Sequence, residues 1–130
     1  MSHNGPERIL HVEDEPDIRE ITKLALQEVG RFLVESCGSG NEAMETVSAF
    51  KPDLILLDVM MPGMDGPTTF QSLRALPELT DVPVIFMTAK AQAREIQHLK
   101  ALGALDVIVK PFDPMTLSDT IREIWARRPG

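Results

Sequence analysis

Several things are scarce in this chain, and each scarcity excludes something. There is one cysteine, Cys37, so neither an internal disulfide nor a cysteine-built zinc cluster can form, which suits a reducing compartment. No apolar run approaches the roughly 18 residues that a membrane-spanning helix requires. The opening residues Met1–Arg8 carry no apolar signal segment, and the expectation is a cytoplasmic protein without membrane contact. Basic residues are outnumbered: thirteen Lys and Arg against twenty Asp and Glu give a net charge of −7. That balance argues against direct nucleic-acid binding and against anionic membranes. His3, His11 and His98 lack metal-ligand spacing; His11 lies in a strand-like apolar run, where a hydrogen-bonded core histidine is expected. There is no internal repeat, no low-complexity tract and no tyrosine.

What is present suffices for one core. The 130 residues are 43% apolar and 25% charged, as in an ordinary globular domain. Leu54-Ile55-Leu56-Leu57 reads as a strand covered on both faces, as in a parallel sheet between helices. It stops at Asp58, and after a Pro62-Gly63 turn, Asp65-Gly66-Pro67 offers a helix cap and an early proline. Further strands are expected at Arg8–Val12, Phe32–Cys37, Val82–Met87 and Leu105–Val109. A first helix should run from Pro16 to about Gly30 with Ile18, Ile21, Ala25 and Val29 on one stripe. Ser39-Gly40-Asn41-Glu42 has the capping-box form, ahead of a helix with Ala43, Val47 and Phe50 on its inner side. Helices at Pro67–Ala75 and Gln92–Leu102 follow, the second stopped by Gly103. Asp113-Pro114 should open the last helix, lined by Leu117, Ile121 and Ile124, with Arg127 and Arg128 at its C-terminal dipole. Residues 1–6 read as a disordered lead-in and residues 7–128 as one α/β domain. Five strand–helix units with right-handed crossovers make a doubly wound parallel sheet, (βα)5, in the order 2-1-3-4-5.

In that architecture four strand ends meet on one rim, where open α/β sheets place their ligands. They deliver Glu13 and Asp14, then Asp58, Thr88 and Lys110. Three crowded carboxylates repel one another unless a cation sits among them. Hard oxygen ligands suit Mg²⁺, which also grips phosphate oxygens, with Mn²⁺ as a second candidate. A hydroxyl and an ammonium opposite can serve the remaining oxygens of a phosphoryl group. An ionised Asp in such a setting is a nucleophile able to form an acyl phosphate.

Four stretches carry a family resemblance: Ile-Leu-His-Val-Glu-Asp-Glu at 9–15, Leu-Leu-Asp-Val-Met-Met-Pro-Gly-Met-Asp-Gly at 56–66, Met-Thr-Ala-Lys at 87–90, and Gly-Ala-Leu-Asp-Val-Ile-Val-Lys-Pro-Phe at 103–112. In this order and spacing the sequence resembles the receiver domain of a bacterial two-component response regulator, of the stand-alone single-domain type. An excised domain of a longer protein would have the same sequence. The resemblance implies a flavodoxin-like fold and a phosphoprotein that catalyses only its own phosphorylation and dephosphorylation. Asp58 would accept the phosphoryl group from a phosphohistidine on a histidine kinase or histidine phosphotransfer protein. Asp14, Asp58 and the backbone carbonyl of Met60 would ligate Mg²⁺, with Glu13 in an outer shell. Thr88 and Lys110 would each contact a phosphoryl oxygen, and Lys110-Pro111 would be cis. Output would pass to a downstream protein through the face formed by the fourth helix, fifth strand and fifth helix, or the phosphoryl group would move on in a phosphorelay. Ile21 and Leu24, with Pro62 and Phe112, are candidates for docking a partner helix.

The chain also departs from the family. Val107 stands where receivers usually carry Tyr or Phe, so a large ring flip cannot report phosphorylation. Glu13 replaces the commoner Asp. Met60 and Lys90 occupy the positions that tune phosphoryl lifetime. The alternative is a phosphatase of the haloacid-dehalogenase kind with Asp58 as nucleophile; that chemistry wants a second Asp two residues on, where this chain has Met60. A flavodoxin-like flavin site would want a hydroxyl-rich loop where Glu13-Asp14-Glu15 stands.

Overall fold

Long apolar strands with no polar face must be covered on both sides, and the fold does this with two helices on one side and three on the other. The computed structural model describes residues 5–90 and 92–129. Strands β1 (Arg8–Val12), β2 (Leu33–Cys37), β3 (Leu54–Asp58), β4 (Val84–Thr88) and β5 (Asp106–Val109) alternate with helices α1 (Pro16–Leu24), α2 (Gly40–Phe50), α3 (Gly66–Arg74), α4 (Ala93–Ala101) and α5 (Leu117–Ala126). The sheet order is β2-β1-β3-β4-β5, with every neighbouring pair parallel. The fold is therefore the expected (βα)5 sheet.

Side chains alternate between the two faces. Ile9, Leu54, Leu56, Ile85, Met87 and Ile108 pack with Leu26 behind α1 and with Leu117, Ile121 and Ile124 of α5. Leu10, Val12, Ile55, Leu57, Val84 and Phe86 pack with Ala43 and Val47 of α2, Phe70 and Leu73 of α3, and Leu99 of α4. All five residues of β3 and of β4 are buried.

Local differences from the sequence reading have physical causes. Beyond Leu24 the first helix widens into a π-turn, Ala25–Val29, which rotates the stripe. Within α1 itself Thr22 rather than Ile21 (50% exposed) already faces inward, and along the π-turn Ala25 and Leu26 are buried while Val29 (42%) faces outward. Thr22 tolerates burial because its hydroxyl donates to the Ile18 carbonyl at 2.7 Å. Ser39 caps α2 as expected by accepting from the Glu42 N–H, but the Glu42 carboxylate accepts from Gly38 N–H rather than closing the box on Ser39. The last helix begins at Leu117, because the Asp113 carboxylate accepts from Met115 N–H and closes a separate turn. Of the expected lead-in, residues 1–4 (His3 included) lie outside the described residues, whereas Gly5 and Pro6 are buried. His11 is fully buried, yet neither ring nitrogen has a partner among the described residues. The expected hydrogen bond is not made.

Candidate functional site

Strand alternation aims the key side chains. Glu13 continues the series Ile9, His11; Asp58 continues Leu54, Leu56; Lys110 continues Ile108. All three therefore emerge from the α1/α5 side of the sheet at its carboxyl edge. Gly66 lets the turn into α3 fold tightly over Asp58: a Cβ there would lie 2.4 Å from the Asp58 carbonyl oxygen. The Gly66 N–H donates to the Val59 carbonyl at 3.0 Å. The other end of the site is fixed from β5, where the Lys110 N–H donates to the Thr88 carbonyl and Lys110-Pro111 is cis.

Lys110 is the hub. Its Nζ lies 2.6 Å from Asp58 Oδ1 and 2.7 Å from Glu13 Oε1. Glu13 and Asp58 are buried, at 1% and 4% exposure. The second Glu13 oxygen accepts from Glu15 N–H at 3.2 Å. Asp14 completes the group: carboxylate oxygens of Glu13, Asp14 and Asp58 come within 4.8 Å of one another. Burial pushes the Asp58 carboxyl up to about 6, against the pull of Lys110 and with help from the charges of Glu13 and Asp14. Burial alone would lower Lys110, but its hydrogen bonds to Asp58 and Glu13 leave it raised. His11 lies below on the same face; burial, then the positive charges of Lys110 and Arg19, push it down to about 3 and keep it neutral.

These groups open into a cleft of about 580 Å³. Ile18, Ile21, Met60, Pro111, Phe112 and Pro114 give it an apolar wall beside the carboxylates. A divalent cation fits the donor set: three carboxylates converge, and the ammonium now touching two of them already does part of a cation's work.

The cleft unites Glu13, Asp14, Asp58, Met60 and Lys110. Thr88 stays apart. Its side chain follows Val84 and Phe86 onto the opposite face, accepts from Lys90 N–H at 3.1 Å, and lines a separate cavity of about 360 Å³ with Val59, Pro67, Arg94, Glu95, His98 and Leu99. Lys90 is exposed. Val107 pairs in register with Phe86 and packs half-buried against the core on the α2–α4 side. Met60 is 62% exposed, whereas Met61 is buried at 7%.

Sequence reasoning assigned Glu13 to outer-shell contacts and did not foresee its direct ion pair with Lys110. It also passed over Arg19, whose Nη1 donates to the backbone carbonyls of Glu13 (2.8 Å) and Asp14 (3.3 Å). The available signal was a long cation in the first turn after the acidic loop, because helical side chains lean toward their own N-terminus.

Known proteins share this fold. Residues 9–122 match the family model described as response regulator receiver domain. The transcriptional regulatory protein CseB of Streptomyces coelicolor is 39% identical over 119 residues, 92% of this chain and 49% of that protein. YvrH of Bacillus subtilis is 40% identical over 114 residues, 88% and 47% respectively. The chain thus spans about half the length of the curated relatives it matches. Among solved structures, the chemotaxis protein CheY4 of Vibrio cholerae superposes with a TM-score of 0.84 at 31% identity, covering 91% of this chain and 98% of that one. A response regulator from Desulfuromonas acetoxidans gives a TM-score of 0.80 at 31% identity, covering 91% and 95%. A match of this extent, on a sheet whose carboxyl edge gathers an acidic cluster beside a lysine, makes the chain a member of the response regulator receiver family.

Proposed function

We propose that Asp58 is the phosphoacceptor of this receiver and that its phosphorylation depends on Mg²⁺. The observation carrying the reading is the Lys110 ammonium held 2.6 Å from a buried carboxylate that has two further carboxylates beside it. Asp14, Asp58 and the Met60 carbonyl would hold the ion, with Glu13 behind them. When bound, Mg²⁺ supplies positive charge for the oxygens of a transferring phosphoryl group.

The chain's own residues do the rest. An Asp58 carboxylate oxygen attacks phosphorus of a phosphohistidine; the P–N bond breaks and its electron pair stays with the histidine nitrogen, leaving an acyl phosphate on Asp58. Lys110 moves from the free carboxylate onto a phosphoryl oxygen, keeping its charge where negative charge accumulates. Thr88 would have to turn its hydroxyl from Lys90 N–H and the α3–α4 cavity toward the new group. Met60 and Lys90 flank the approach of water and would set the lifetime. The apolar wall of Ile18, Ile21, Met60 and Phe112 favours docking of an apolar helix of the phosphodonor, with Ile21 and Leu24 half-exposed beside it. With Val107 in place of a ring, output through α4, β5 and α5 would rely on the loop after Thr88. Whether further domains accompany this one decides if a downstream protein, an attached effector or a phosphorelay receives the signal.

Mass spectrometry after incubation with acetyl phosphate and Mg²⁺ tests the assignment. Wild type should gain one phosphoryl group, lost on adding a chelator beforehand, and Asp58→Asn should gain none. Equal labelling of Asp58→Asn would move the acceptor elsewhere.

A further inference from the structure

Arg19 is a second cation at the site, and unlike Lys110 it pairs with no carboxylate oxygen among the described residues. Its guanidinium donates to two backbone carbonyls, Glu13 at 2.8 Å and Asp14 at 3.3 Å. These are the peptide units that carry two of the three clustered carboxylates. The residue reaches them from the first turn of α1, whose start is tied down by Arg19 N–H donating to the Glu15 carbonyl. The loop between β2 and α2 closes the other side. A Cβ on Gly38 would lie 2.9 Å from Arg19 Nη1, so a bare backbone at position 38 leaves the space that the guanidinium fills. That loop is joined to the acidic one as well, since Glu13 N–H donates to the Cys37 carbonyl at 2.9 Å. Arg19 is thus clamped among α1, the acidic loop and the β2–α2 turn.

We infer that Arg19 is a positioning residue for the divalent-cation site: by fixing the carbonyls of Glu13 and Asp14 it fixes the direction of their carboxylates. The inference rests on the Mg²⁺ site proposed above. Lys110 leaves its Asp58 oxygen as the phosphoryl group arrives, whereas Arg19 can hold its carbonyls throughout. Two opposite signs separate positioning from plain charge. Were Arg19 only a positive charge near the site, its removal would tighten Mg²⁺ binding by relieving repulsion. As a clamp, its removal weakens binding, on the order of the 10-fold seen when outer partners of metal ligands are lost.

The experiment is calorimetric titration of Mg²⁺ into wild type, Arg19→Ala and Arg19→Lys, with urea unfolding of each metal-free protein alongside. The expected result is a Kd raised about 10-fold in Arg19→Ala and by less in Arg19→Lys, which keeps a donor but not the planar fork. An unchanged or tighter Kd in a folded Arg19→Ala overturns the inference while leaving the metal site standing. A wild type that takes up no Mg²⁺ overturns the site and the inference together. Should Arg19→Ala fail to fold, Arg19→Lys decides: weaker binding supports the clamp, and wild-type affinity rejects it.

Discussion

The carboxyl edge of the sheet has two sides that differ in almost every property. On the α1/α5 side, three carboxylates gather in an open cleft where Lys110 pairs with two of them, and burial pushes the Asp58 carboxyl up to about 6. On the α3/α4 side, Thr88 has its hydroxyl satisfied by Lys90 N–H and faces a smaller cavity with apolar lining from Val59, Pro67 and Leu99. The first side stores unfavourable charge that a cation or a proton relieves. The second is already satisfied and has no reason to move until something on the first side attracts a hydroxyl donor. On the proposed reading, phosphorylation would act on the first side and Thr88 would answer from the second.

The largest test of the comparison is Asp58→Asn. It should abolish phosphoryl uptake from acetyl phosphate, as read by mass spectrometry, and should also make the metal-free protein more stable at pH 7 in urea. An ionised carboxylate that is costly to bury is replaced by a neutral isostere. The gain should be roughly 1–3 kcal/mol, given one pKa unit as about 1.4 kcal/mol.

Next comes Lys110→Ala, which leaves two buried carboxylates without their shared cation. Metal-free stability should fall by about 2 kcal/mol, below the cost of breaking a fully buried pair because the cleft is open to water. Calorimetry should nonetheless find Mg²⁺ bound at least as tightly as in wild type, since no ammonium competes for the Asp58 and Glu13 oxygens. A large loss of Mg²⁺ affinity would mean that Lys110 organises the metal site rather than stands in for the ion.

The effect of pH is smaller and its sign is fixed. With Asp58 at about 6 in the folded state and near its ordinary value of about 4 when unfolded, the native protein binds more protons between those limits. Stability contributed by the protonated form is therefore lost as pH rises through 6. Without metal, unfolding free energy should drop by about 1–2 kcal/mol between pH 5 and pH 7. The slope should vanish in Asp58→Asn, and acidification below pH 6 should weaken Mg²⁺ binding as protons compete.

The smallest expected effect lies on the satisfied side. Thr88→Ala should leave calorimetric Mg²⁺ affinity of the unphosphorylated protein unchanged, because the hydroxyl faces away from the cleft, while the rate of labelling by acetyl phosphate falls. A loss of Mg²⁺ affinity would show that the two sides are coupled before phosphorylation.

Much of this was legible in the chain. Continuous apolar runs around Leu54–Leu57 and Val84–Met87 announced strands covered on both faces, and each ended at a residue whose chemistry stood out against its neighbours. Asp58, Glu13, Asp14 and Lys110 could be gathered from topology alone, because parallel strands bring their carboxyl ends to one edge. Two kinds of feature were hidden. The π-turn at Ala25–Val29 rotates a helical stripe, and no periodicity argument anticipates an inserted residue. His11, expected to be hydrogen-bonded, is buried without a partner among the described residues, since partners depend on which polar groups neighbouring elements happen to present.

The sequence by itself determined the alternation of strands and helices and the residues that end each strand, because hydrophobic period, caps and strand-ending residues are local properties of the chain; the order 2-1-3-4-5 was an expectation from fold rules and family resemblance, which the sheet bears out. Only the tertiary structure decided that Lys110 joins Asp58 to Glu13, that Arg19 holds the backbone behind two carboxylates, and that Thr88 looks the other way. Those depend on side-chain direction and on distances of a few ångströms between segments far apart in sequence, which packing sets and no local pattern encodes.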